Sequence, residues 1–123
     1  MMQRIGLAAS VFVLTACTEN GVQSTPQGVV QKVFEVATSR NYGELSDLCA
    51  PEADQGIQQI CDLEDASQAD QDRFSEVIAK GSIAQTQIKG DKATVNLTGE
   101  KGKAAGKVFL AKKEGQWYMV SSE

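Results

Sequence analysis

Histidine is absent from the 123 residues. That removes the commonest metal ligand and the side chain most often used as a general base near neutral pH. Cysteine is limited to Cys17, Cys49 and Cys61; with Cys17 set aside for the role given below, two lone thiols without histidine cannot close a zinc site. No metal or other cofactor is therefore expected. Long apolar runs are missing too. The first apolar stretch, Ile5 to Ala16, is 12 residues long, about 18 Å as a helix against a hydrocarbon core of about 30 Å. Basic residues are sparse, with 12 Lys and Arg against 16 Asp and Glu. This balance excludes a nucleic-acid partner, which needs clustered Lys and Arg, and argues against adhesion of the chain as a whole to anionic lipid.

What is present begins with an address. Met1-Met2-Gln3-Arg4 is a short positive leader, Ile5 to Leu14 an apolar core, and Leu14-Thr15-Ala16-Cys17 ends it. This is the layout of a secretory signal, and the tetrapeptide resembles the lipobox of bacterial lipoproteins. Leu14 at minus three suits lipoprotein processing better than the ordinary signal peptidase, which takes a small residue there. The resemblance implies a signal peptide over 1–16 and a Cys17 carrying two or three acyl chains, enough for a stable membrane anchor. Thr18, in place of Asp, implies the outer membrane facing the periplasm rather than the inner membrane. Residues 17–24 read as the lipidated cysteine and a polar, flexible tether with a reach of about 15 Å.

Loss of the leader removes Arg4 and leaves 11 basic against 16 acidic side chains. It also resolves the odd cysteine count. With Cys17 lipidated, Cys49 and Cys61 remain as a pair 12 positions apart, and a disulfide is expected in an oxidising envelope, worth about 3 kcal/mol in the chain-entropy model.

Residues 25–123 read as one α+β domain. Thr25-Pro26 is a helix start, and Val29, Val30, Val33, Phe34, Val36 and Ala37 follow at helical spacing. A second short helix is expected over Tyr42 to Cys49, stopped by Ala50-Pro51. A turn or two is expected over Gly56 to Asp62. A further helix is expected from Asp70 to Lys80, with Phe74, Val77 and Ile78 facing inward. After Gly81 the period changes to two, predicting strands over 82–89, 92–98, 107–112 and 116–121. Gly90-Asp91 and Glu114-Gly115 supply hairpin turns, and Gly99 to Gly106 a looser connection. N-terminal helices would then pack on a curved antiparallel four-stranded sheet.

The segment Pro26 to Phe34, then Asn41-Tyr42, Gly90 to Val95 and Lys113 to Tyr118 resemble the small bacterial lipoproteins of the NTF2-like (cystatin-like) group with a domain of unknown function. That resemblance implies a long helix cradled by a bent sheet, a cone with a pocket. The segment from Cys49 to Gln68 departs from it, being longer and more acidic than the usual connection.

The candidate site residues are few. Trp117 and Tyr118 point to opposite faces of one strand. Trp117 reads first as core and secondarily as a ligand-stacking ring, and Tyr118 as outward and open to a partner. Tyr42, with Asp47 nearby, is placed either at the cone mouth or packed at the start of the second helix. Glu52, Asp54, Asp62, Glu64, Asp65, Asp70 and Asp72 lack calcium-loop spacing and read as a solvated face. Lys101, Lys103, Lys107, Lys112 and Lys113 read as one opposite, basic end. With no catalytic constellation in view, the chain reads as a membrane-anchored envelope lipoprotein that binds a protein or a small apolar ligand. The alternatives are an enzyme acting on a hydrophobic substrate in the cone, and an accessory subunit of an envelope complex.

Overall fold

The computed structural model describes residues 21–123; the leader, the lipobox and Cys17 lie outside the described residues. Helix α1 spans Pro26–Ser39. The Thr25 hydroxyl accepts from the Gly28 N–H at 2.9 Å, Pro26 occupies the first turn, and Arg40 closes the helix in the left-handed region at φ 66°. Val29, Val30, Val33 and Val36 are buried along one face, each contributing about 1.5–3 kcal/mol of transfer free energy.

Strands β1 (Ser82–Lys89), β2 (Lys92–Thr98), β3 (Ala104–Lys113) and β4 (Gln116–Ser122) form one antiparallel meander in the order β1-β2-β3-β4. Register shifts between Ile83 and Gln85, Leu97 and Thr98, and Phe109 and Leu110 bend the sheet, as bulges do. Ala93 and Val95 on β2, Val108 and Leu110 on β3, and Trp117 and Met119 on β4 join the α1 valines in one core. The concave face is thus filled by its own helix.

Helices α2 (Gln55–Cys61) and α3 (Gln68–Ala79) complete the body. Both are capped as their sequences require: Asp54 accepts from the Ile57 N–H at 2.9 Å and Ser67 from the Asp70 N–H at 3.2 Å. The cap at Ser67 starts α3 two residues before the expected Asp70.

Three expectations change. The helix expected over Tyr42 to Cys49 is only a four-residue 3₁₀ turn, Tyr42–Leu45. Beyond it the chain runs beside β4, with a parallel bridge between Cys49 and Met119. The Met119 N–H donates to the Leu48 carbonyl at 2.8 Å, and the Ala50 N–H to the Met119 carbonyl at 2.9 Å. An exposed strand edge needs partners, and satisfying β4 outweighs the weak helical propensity of this stretch. The connection expected over Gly99 to Gly106 is shorter, since β3 begins at Ala104.

The tether is also shorter than expected. Residues Gly21–Ser24 form a turn against the body: the Ser24 hydroxyl donates to the Gly21 carbonyl at 3.0 Å, and the Trp117 N–H to the Gln23 carbonyl at 2.9 Å. Gly28 permits this approach, because a Cβ there would sit 2.5 Å from the Val22 carbonyl oxygen.

Candidate ligand-binding groove

The structure fills the concave face with buried side chains. Trp117 is 4% exposed and belongs to the core. Tyr42 is buried, its hydroxyl 2.6 Å from the Ser75 hydroxyl and donating to the Gln71 carbonyl at 3.2 Å. Its ring meets Phe74 edge-on at 6.2 Å. Tyr42 therefore clamps α3 onto the 3₁₀ turn and does not face a cone mouth. Asp47 serves through its carbonyl, which accepts from the Gln23 amide at 3.2 Å. Tyr118, half-buried, donates to Gln116 at 3.0 Å. These side chains are not gathered into one site.

Instead, the structure opens a groove on the outside of the helical layer, of about 610 Å³, between α2 and α3. Ile60, Leu63, Ala66, Phe74, Val77 and Ile78 give it an apolar lining, and Asp62, Asp65, Asp70 and Arg73 a charged rim. Its volume falls in the range of small-molecule sites. Of the three apolar residues of α3 expected to face inward, Phe74 and Ile78 pack against the core and Val77 turns outward into the groove. The helix's buried residue is Ser75, turned toward Tyr42, whereas Val77 is 61% exposed and Phe74 and Ile78 are half-buried. The Tyr42–Ser75 hydrogen bond lies on the same inward face as Phe74 and Ile78.

The walls are anchored separately. Cys49 and Cys61 form a disulfide with Cα atoms 6.3 Å apart, pinning the end of α2 to the segment beside β4. The Gln71 amide donates to the Leu63 carbonyl at 2.7 Å, tying α3 to the groove floor. Arg40 pairs with Asp72 at 2.6 Å, which raises the guanidinium pKa through that hydrogen bond. Elsewhere Lys32 meets Glu44 at 2.6 Å; the hydrogen bond raises the Lys32 pKa against the opposing pull of partial burial. Glu52 pairs with Lys113, which lowers its carboxyl below the ordinary range, with further help from its own backbone N–H and from Lys92. The acidic run is thus spent largely on caps and surface pairs. The expected single basic end is split, because Lys101 and Lys103 lie at one end of the sheet and Lys112 and Lys113 at the other.

Sequence reasoning missed the groove because Phe74, Val77 and Ile78 carry a core-facing periodicity. The usable signal was the segment from Cys49 to Gln68, whose extra length builds α2 and the floor at Leu63.

Comparison with known proteins bears on this architecture. An NTF2-like protein with a cystatin-like fold from Novosphingobium aromaticivorans superposes with a TM-score of 0.51 at 14% identity, covering 88% of this chain and 82% of that one. The fold is NTF2-like. A SEC-C motif containing protein from Rhodopseudomonas palustris gives a TM-score of 0.56 at 13% identity, with 81% of this chain and 78% of that one covered. No family model and no curated protein matches the sequence. At these identities the NTF2-like likeness carries architecture alone, so function rests on the groove and the address.

Proposed function

We propose that this protein is a lipid-anchored envelope lipoprotein whose NTF2-like body binds a small apolar or amphipathic ligand in the α2–α3 groove. The carrying observation is the contrast between a concave face filled by buried side chains, such as Val95, Leu110 and Trp117, and an open apolar groove outside it. An enzyme working inside the cone would need a chamber there with a carboxylate of raised pKa. The interior cluster of the described residues consists of apolar side chains together with Tyr42 and Cys61, which favours binding in the groove over chemistry inside the cone.

Val77 provides the test. It is exposed, so Val77→Glu leaves folding intact, yet it sets a carboxylate into the apolar lining. Losing the contact of one valine, about 1.5–3 kcal/mol, weakens binding of a neutral apolar fluorophore at least about tenfold. Fluorescence titration checks this, and undiminished affinity in a folded variant rejects the groove.

The anchor rests on Leu14-Thr15-Ala16-Cys17 and is tested independently. In the native host, Cys17→Ser abolishes acyl labelling and membrane retention; labelling that persists rejects Cys17 as the lipidated residue. Placement in the outer membrane, facing the periplasm, follows from Thr18 after Cys17 and is read by membrane fractionation.

A further inference from the structure

The α2–α3 groove carries charge of mainly one sign. Its acids are Asp62, Asp65 and Asp70, and Arg73 is the cation among its lining residues. Asp70 and Arg73 meet at 3.6 Å, one turn apart on α3, so the guanidinium is already matched. Asp62 and Asp65 have no ion-pair partner among the described residues. The neighbouring acids are engaged elsewhere. Asp54 caps α2 at the Ile57 N–H, Asp72 pairs with Arg40, and the Glu64 carboxylate lies against Gly43, where a Cβ would meet it at 2.7 Å. Lys80, past the end of α3, lines a neighbouring hollow together with Glu76 and Glu100. What lines the groove is therefore three carboxylates against one guanidinium. The amino end of α3 adds about half a positive charge, and the local balance stays negative.

Charge and apolar surface are also segregated along the groove. Asp62 precedes and Asp65 ends the 3₁₀ turn Leu63–Asp65, and Asp70 sits in the first turn of α3. The Gln71 amide, bonded to the Leu63 carbonyl at 2.7 Å, holds that turn against the acidic half of the helix. Val77 and Ile78 lie in the last turn of α3, a rise of about 10 Å beyond Asp70. One end thus offers carboxylates and the other an apolar wall.

We infer that the groove takes a cationic amphiphile, its apolar tail along Phe74, Val77 and Ile78 and its ammonium or guanidinium head at Asp62 and Asp65. The inference rests on the proposed binding in this groove and narrows the ligand to one sign of charge. Burial of the tail supplies most of the affinity, and the carboxylates, being exposed, supply the sign. A fatty acid or other anionic amphiphile sets its head against two unmatched carboxylates and is selected against.

The test uses the full chain carrying Cys17→Ser, with Cys49 and Cys61 oxidised, so that no acyl chain of its own competes for the groove. Octylammonium, octanol and octanoate, matched in tail and kept below micellar concentrations, are titrated separately, with the methyl shifts of Leu63, Val77 and Ile78 as the readout. Octylammonium binds about fivefold more tightly than octanol, the factor that one exposed ion pair supplies, and octanoate binds more weakly than either. The preference shrinks from about 0.05 M to about 0.5 M salt. It falls to near parity in Asp62→Asn/Asp65→Asn, whose octanol affinity is unchanged because both positions are exposed. Equal affinities for the three probes, tightest binding of octanoate, or a preference that persists in the double variant overturns the cationic head at Asp62 and Asp65 and leaves the groove standing. Silence of the groove methyls with all three probes overturns the groove reading itself, and the inference with it.

Discussion

Replacing Trp117 with alanine destabilises the body by about 3–5 kcal/mol, the usual range for removing a large buried aromatic. The ring is 4% exposed in the same cluster as Val33, Leu110 and Met119, so truncation leaves a cavity between sheet and helix. Domains of this size are stable by only about 5–15 kcal/mol, and each kcal/mol moves the melting temperature by about 4–8 °C. Circular dichroism melts read the change directly. The backbone hydrogen bonds to Gln23 survive the substitution, so the loss reports the side chain. A ligand-stacking Trp117 gives the opposite pattern, an unchanged melt with lost binding, and that outcome removes it from the core account.

The second large effect falls on the disulfide. A Cys49→Ala/Cys61→Ala double variant loses about 3 kcal/mol, the value for closing a loop of about a dozen residues. Position adds a local consequence. The bond joins the end of α2 to the segment beside β4, so without it α2 is the element that loosens first. Hydrogen exchange then accelerates at the α2 amides from Ile57 to Cys61 before it changes in β2 and β3, and affinity for an apolar probe drops because one groove wall is no longer fixed. Unchanged stability together with unchanged α2 protection contradicts a structural role for the bond.

The parts of the fold that were legible in the sequence are those with one dominant local signal. Thr25-Pro26 followed by a valine stripe marks α1, and the Ala93-Val95-Leu97 alternation and the two glycine turns mark the meander. Elsewhere tertiary demands prevailed. Leu48 to Ala50 are extended because β4 has an edge to satisfy, and local propensity carries no trace of that partner. Gln23 reads as tether because one polar residue between Val22 and Ser24 shows nothing of the Trp117 N–H it meets. In α3 the apolar residues mark the right helix and, for Phe74 and Ile78, the right face, with Val77 the exception. That face also holds Ser75, whose buried hydroxyl meets Tyr42 from 33 residues away, a contact that local pattern does not show. The candidate site depends on how α2, the floor at Leu63 and α3 come together, so it is the least legible part.

The central claim is that the ligand surface is the outer groove and not the cone interior. Methyl chemical-shift mapping during titration with a neutral apolar probe tests it most directly. The account predicts shifts concentrated at Ile60, Leu63, Val77 and Ile78, with the methyls of Val29, Val33, Val95 and Leu110 unmoved. Shifts centred on those four interior residues, with the groove methyls silent, contradict it.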